Sequence, residues 1–90
     1  SERINLLAYE FAKEKRYQEA MATIDFAIKL RPEYANYYDS RGEFLLLQGK
    51  KQDALIMWKK VMELNPYFLD AYPNGTNLSN GLKKLKLISK

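Results

Sequence analysis

Two carboxylates four residues apart, Asp39 and Glu43, are the first side chains here whose spacing could do chemistry. On a helix that spacing places both on one face. A carboxyl pair whose pKa values are pushed apart can divide acid and base roles. Nothing else in the chain joins them. There is no histidine and no cysteine. The commonest general base, the commonest zinc ligand, thiolate chemistry and disulfides are therefore all missing. No glycine-rich phosphate loop and no nucleophile elbow occurs. The pair reads as a solvated helix face, and the chain as non-catalytic, with no cofactor and no metal.

Charge and hydropathy narrow the partners. The net charge of +4 is unevenly placed. Residues 1–66 carry eleven basic and ten acidic side chains, whereas residues 67–90 carry four lysines and one aspartate. A nucleic-acid-binding domain would carry a basic stripe across its body, and this near-neutral body excludes that class. No apolar run approaches the ~20 residues that span a bilayer. The opening "SERINLLAYEF" has no signal-peptide pattern, which favours a cytoplasmic setting if the chain is complete. Asn74-Gly75-Thr76 and Asn77-Leu78-Ser79 fit the N-glycosylation acceptor pattern, but such short matches arise easily by chance.

The elements that must carry these residues come from a periodicity. Leu30-Arg31-Pro32 and Leu64-Asn65-Pro66 lie 34 residues apart. Residues 1–34 superpose on 35–68 by residue size: Ile4 on Tyr38, Ala8 on Gly42, Phe11 on Leu45, Ala20 on Ala54, Ile24 on Trp58 and Ala27 on Val61. Apolar groups recur at three- and four-residue intervals over 2–14, 18–30, 36–48 and 52–64, which predicts four helices. Turns fall near Lys15-Arg16 and near Gly49-Lys50, and the prolines stop the second helix of each unit. Small residues at Ala8, Ala20, Gly42 and Ala54 are expected to let the paired helices approach within about 8–10 Å.

The stretches "INLLAYEFAKEKRYQEAMATIDFAIKLRP" and "YDSRGEFLLLQGKKQDALIMWKKVMELNP" resemble the tetratricopeptide repeat, a 34-residue helix-turn-helix with Trp-x2-Leu-Gly-x2-Tyr, then Ala-x3-Phe, then Pro. Arg41 departs from the pattern, where leucine is usual, and is expected to loosen its unit locally. The resemblance implies an all-α fold, an α-solenoid of antiparallel helix hairpins with about five helices. Repeats would occupy 1–34 and 35–68, with an atypical third unit and cap over 69–90. In that last part a helical turn is expected at 67–72, a loop at 73–77 and a helix at 79–88, leucines inward and lysines outward. The other reading of this tail is a basic helix for a membrane surface or an acidic partner.

The resemblance also implies a working surface. In such repeats the concave face is lined by the first helix of each unit. Carried over, it comprises Glu2, Asn5, Tyr9, Ala12 and Lys13, then Asn36, Asp39, Glu43, Leu46 and Leu47, with Asp70 added from the third unit. The carboxylate clamp that holds chaperone C-terminal tails would fall on Asn5, Tyr9, Ser40, Asp70 and Asn74. No cation stands at any of them, which argues against such tails. The expected partner is a protein or peptide meeting a mildly acidic groove with Tyr9 as anchor. Leu47, beside Leu46 and Phe44, is either a contact patch or a seat for the tail or a neighbouring helix. The alternative function is a C-terminal structural or dimerisation appendage of a larger protein, with a hydrolase among the parents considered and a homodimer left open.

Overall fold

The computed structural model describes residues 2–68. They form four α-helices: α1 (Glu2–Lys13), α2 (Tyr17–Leu30), α3 (Ala35–Leu47) and α4 (Lys51–Leu64). The protein is all-α, built from two packed helical hairpins, with no strand among the described residues. Each helix lies within a residue of its expected bounds. The expected loop at 73–77 and the helix at 79–88 fall outside the described residues, as does most of the turn expected at 67–72.

Both hairpin turns close in the same way. In the first, the Arg16 N–H donates to the Phe11 carbonyl and the Lys15 N–H to the Ala12 carbonyl, each at 2.9 Å. In the second, Lys50 donates to Leu45 and Gly49 to Leu46, again at 2.9 Å. This paired pattern satisfies the last carbonyls of a helix and requires a left-handed residue at its centre. Gly49 takes that conformation at φ 79°, and Lys15, 34 positions earlier, is forced into it at φ 61°. The second helices also stop alike. The Arg31 N–H reaches the Ala27 carbonyl and the Asn65 N–H the Val61 carbonyl, both at 2.9 Å, just before the prolines. The backbone thus repeats at the interval found in the sequence.

Two apolar clusters hold the helices. Ala8, Ala12, Ala20, Ile24, Ala27, Tyr37 and Phe44 form the first, and Ala35, Leu45, Ala54, Trp58, Val61 and Phe68 the second. Met21 packs against both and joins them. Burying a side chain such as Ile24 or Phe44 contributes about 1.5–3 kcal/mol each. The four small residues are all buried, as their types required. Gly42, however, answers to Trp58 as well as to helix spacing. A Cβ there would lie 2.7 Å from Trp58 Nε1 and 2.8 Å from Cε2. The indole fills the space that glycine leaves, and its N–H is buried with no hydrogen-bond partner among the described residues.

The second hairpin docks on the first mainly through α3, which touches α1, α2 and α4. Arg41 has a use that its loosening effect in the sequence reading missed. Its Nε donates to Asp25 Oδ1 of α2 at 2.7 Å, and Nη1 lies 3.5 Å from Met57 Sδ of α4. The Tyr38 hydroxyl donates to the Pro32 carbonyl at 2.7 Å, and Tyr34 meets Tyr37 edge-on at 4.7 Å. One guanidinium and three tyrosines therefore seat α3 against the α2 end of the first hairpin.

Candidate functional site

Three of the first-helix residues singled out above, Asn5, Tyr9 and Asn36, lie along a seam between α1 and α3. At its centre the Ser40 hydroxyl lies 2.7 Å from Asn5 Oδ1 and 3.2 Å from the Asn36 carbonyl, and can donate to either. This links Asn5 and Asn36, both half-buried. One turn on, Tyr9 meets Phe44 edge-on, with ring centroids 4.8 Å apart and an interplanar angle of 67°. An edge-to-face pair contributes about 0.5–1.5 kcal/mol beyond its burial. The seam thus brings Asn5, Tyr9 and Asn36 together around Ser40 and Phe44. The residue pattern places Ser40 only at a position of the carboxylate clamp, and Phe44 only in a patch beside Leu46 and Leu47.

The other expected residues divide. Glu43 is half-buried one turn beyond Asp39, and Lys13 and Leu47 stand exposed at the ends of α1 and α3. Leu47 keeps 46% of its surface in contact with solvent. Leu46 is half-buried and packs against the second apolar cluster, so it serves the core more than the face. Three expectations need correction. Asp39, read as a solvated carboxylate, is only 7% exposed. Ala12, read as lining the groove, is buried in the first cluster. Phe44, grouped with Leu46 and Leu47 as a surface patch, is fully buried against Tyr9. The cause is common to all three. α3 is enclosed by three helices, and α1 packs on two, so fewer of their positions reach solvent than a first-helix rule allows. The side chain of Glu2, and Asp70 and Asn74 altogether, lie outside what the structure describes.

Charges in the first turn are arranged locally. Arg16 bonds Glu19 through both Nε and Nη2, and Glu14 through Nη1 at 3.2 Å. The hydrogen bond from Arg16, helped by its charge, holds the Glu19 carboxyl below its ordinary range, and the two glutamates raise Arg16. This fork stands at the start of α2, away from the α1–α3 seam.

A shallow cleft of about 390 Å³ lies at the outer side of α4, lined by Tyr38, Ile56, Met57, Lys59, Lys60 and Glu63. Lys60 Nζ stands 6.0 Å from the Tyr38 ring centroid. Its lining offers apolar contact and lysine charge but no residue of the seam. Among the described residues no group of three or more His, Cys, Asp or Glu is placed to hold a metal. No described helix is long and apolar enough to cross a membrane.

No protein-family model matches the chain, and no curated protein matches it.

Proposed function

We propose that this chain is a tetratricopeptide-like module that binds a protein or peptide segment along the seam of α1 and α3, with no catalysis of its own. One observation carries the reading. The backbone geometry of turn, cap and helix end recurs at 34 residues, so the first helices of the two hairpins run side by side and share a face. A solenoid of such hairpins presents that face as a shallow concave surface. Asn5, Tyr9, Asn36 and Glu43 supply its polar contacts, and Leu47 with the Tyr9 ring its apolar ones. Lys13 is the one cation of that face, and Glu43 its one carboxylate that reaches solvent, because Asp39 is buried. The partner chemistry that fits is an extended segment with a basic side chain opposite Glu43 and one apolar or aromatic anchor. Chaperone tails ending in acidic residues do not fit a face with no cation at Asn5, Tyr9 or Ser40.

Amide-resolved NMR on the full chain tests this. Two sets of short extended peptides serve as probes, one rich in Lys and Leu, the other in Glu and Leu. The basic set should give saturable shifts at Asn5, Tyr9, Asn36 and Glu43, weakened by Tyr9→Ala and by Glu43→Lys, and weakened by salt. Shifts confined to the α4 cleft, or none with the basic set, would sink the reading.

A further inference from the structure

The outward face of α1 carries a pattern that the seam does not use. Leu6 and Leu7 are 61% and 49% exposed, and Arg3 and Glu10 on the same stripe are exposed too. These four positions, spaced i, i+3, i+4, i+7, occupy one side of the helix. Their counterparts 34 residues on are Tyr37, Ser40, Arg41 and Phe44. In α3 those are the residues that dock on the preceding hairpin: Tyr37 within the first apolar cluster, Ser40 through Asn5, Arg41 through Asp25 and Phe44 through Tyr9. The α1 stripe is therefore built at a docking position that no hairpin among the described residues covers.

What it fits is written into its order. Arg3, Leu6, Leu7 and Glu10 read as their own complement when reversed. Two such helices placed antiparallel about a two-fold axis between residues 6 and 7 set Arg3 of one against Glu10 of the other, twice. Leu6 and Leu7 of the two chains meet at the centre. Neither Arg3 nor Glu10 has an ion-pair partner among the described residues. Isologous interfaces of cyclic dimers require this self-complementarity. A docked α4-type face would offer no such match: the counterpart of Asp25 there is Lys59, which would meet Leu7.

We infer that the α1 stripe Arg3, Leu6, Leu7, Glu10 is a self-association surface, joining two copies of this chain through an antiparallel α1–α1 contact. A contact centred on one helix of 12 residues is at the small end of specific interfaces, and small interfaces give weak, reversible pairs, with dissociation in about the 0.1 mM range.

Sedimentation equilibrium of the full chain, from about 10 µM to about 1 mM, reads this directly. The apparent mass should climb from 10.6 kDa towards twice that and level off. Leu6→Glu and Leu7→Glu should each weaken the pair at least about tenfold, with far-ultraviolet circular dichroism unchanged because both positions are exposed. Arg3→Glu alone and Glu10→Arg alone should each weaken it, and the two together should restore it. A wild-type chain that stays monomeric throughout overturns the inference. So does growth past the dimer, which marks open head-to-tail contact, or a dimer lost on Leu47→Glu but not on Leu7→Glu. Failure of the charge swap to restore pairing overturns the antiparallel register.

Discussion

Replacing Gly42 by alanine gives the sharpest test of how the second hairpin is packed. In an exposed helix this change would stabilise the protein by about 0.5–1 kcal/mol, because glycine is the poorer helix former. Here the new Cβ would sit 2.7 Å, 2.8 Å and 3.2 Å from three indole atoms of Trp58. Carbon atoms need roughly 3.5 Å or more. The indole is a rigid ring, only 1% exposed, so it cannot yield without disturbing its neighbours. α3 and α4 must then separate, or Trp58 must leave its rotamer. Overpacking of this kind costs about 1–3 kcal/mol. Subtracting the propensity gain leaves a net loss of about 0–2.5 kcal/mol, centred a little above about 1 kcal/mol. For a domain of this size each kcal/mol lowers Tm by roughly 4–8 °C.

The first hairpin supplies the control. At the equivalent places it has Ala8 and Ile24, both fully buried in one cluster. Trp58→Ile alone should cost about 2–3 kcal/mol by leaving a cavity above Gly42. Gly42→Ala with Trp58→Ile rebuilds the pairing of the first hairpin. The two changes together should therefore cost less than their sum by about 1–2 kcal/mol. Urea titration followed by circular dichroism measures all four proteins. In the two that keep it, the chain's only tryptophan gives an independent fluorescence signal. A Gly42→Ala protein more stable than wild type, or additive energies in the cycle, would refute the contact.

The other expectations can be stated briefly. Lys15 holds φ at 61° where its counterpart Gly49 holds 79°; Lys15→Gly should raise stability by about 0.5 kcal/mol, the left-handed strain outweighing the added chain entropy, and a lowered urea midpoint refutes it. Ser40→Ala removes the hydroxyl that links Asn5 and Asn36 and should cost about 1 kcal/mol by thermal melting, with no loss meaning that water replaces it. Arg41→Leu installs the residue found at its counterpart Leu7 but breaks the half-exposed pair with Asp25; the net change should stay within about 1 kcal/mol. Glu19 titrates below its ordinary value through Arg16, so its contribution is full above the ordinary glutamate pKa and fades as pH falls through the lowered one. Side-chain carboxyl NMR should show the Glu19 midpoint rising in Arg16→Gln, and an unmoved midpoint removes the linkage.

The helices and their ends were legible because local chemistry decides them. Prolines at 32 and 66 and glycine at 49 forbid continuation, and apolar spacing sets the faces between. Lys15 shows how far this reaches. Its turn was placed correctly although its side chain disfavours the conformation, since the spacing of the flanking helices left no other position for a reversal. The face residues were less legible. α3, "ANYYDSRGEFLLL", buries Asp39, Ser40 and Gly42 yet exposes Leu47. A helix touched by three others has no single apolar side, so periodicity carries little information about which residues meet solvent. The tie from Arg41 to Asp25 was hidden for a related reason. It joins residues 16 apart on different helices, and only the angle at which α3 crosses α2 brings them together.

The two hairpins treat one stripe of positions in opposite ways. Where α3 is covered it has Ser40 and Arg41, polar groups satisfied by Asn5 and by Asp25. Where α1 is uncovered it has Leu6 and Leu7. Burial alone predicts the reverse. The buried Ser40 hydroxyl is fixed by its partner and tolerates one geometry, so with the half-exposed Arg41–Asp25 pair it sets the register of α3 on the first hairpin inside the chain. Exposed leucines add nothing to a monomer's stability, and isolated ones are common on protein surfaces. A pair flanked by opposite charges in palindromic order is a narrower pattern. Its apolar centre gives non-directional attraction, and its two charged ends select orientation without a buried, unpaired ion. The register of α3 inside the chain is thus specified by hydrogen bonds, and the contact proposed between chains would rest on apolar area with exposed charge at its rim. Substituting Leu6 and Leu7 should therefore leave the urea midpoint of the dilute monomer unchanged within about 0.5 kcal/mol, whereas any change at Ser40 should register in it.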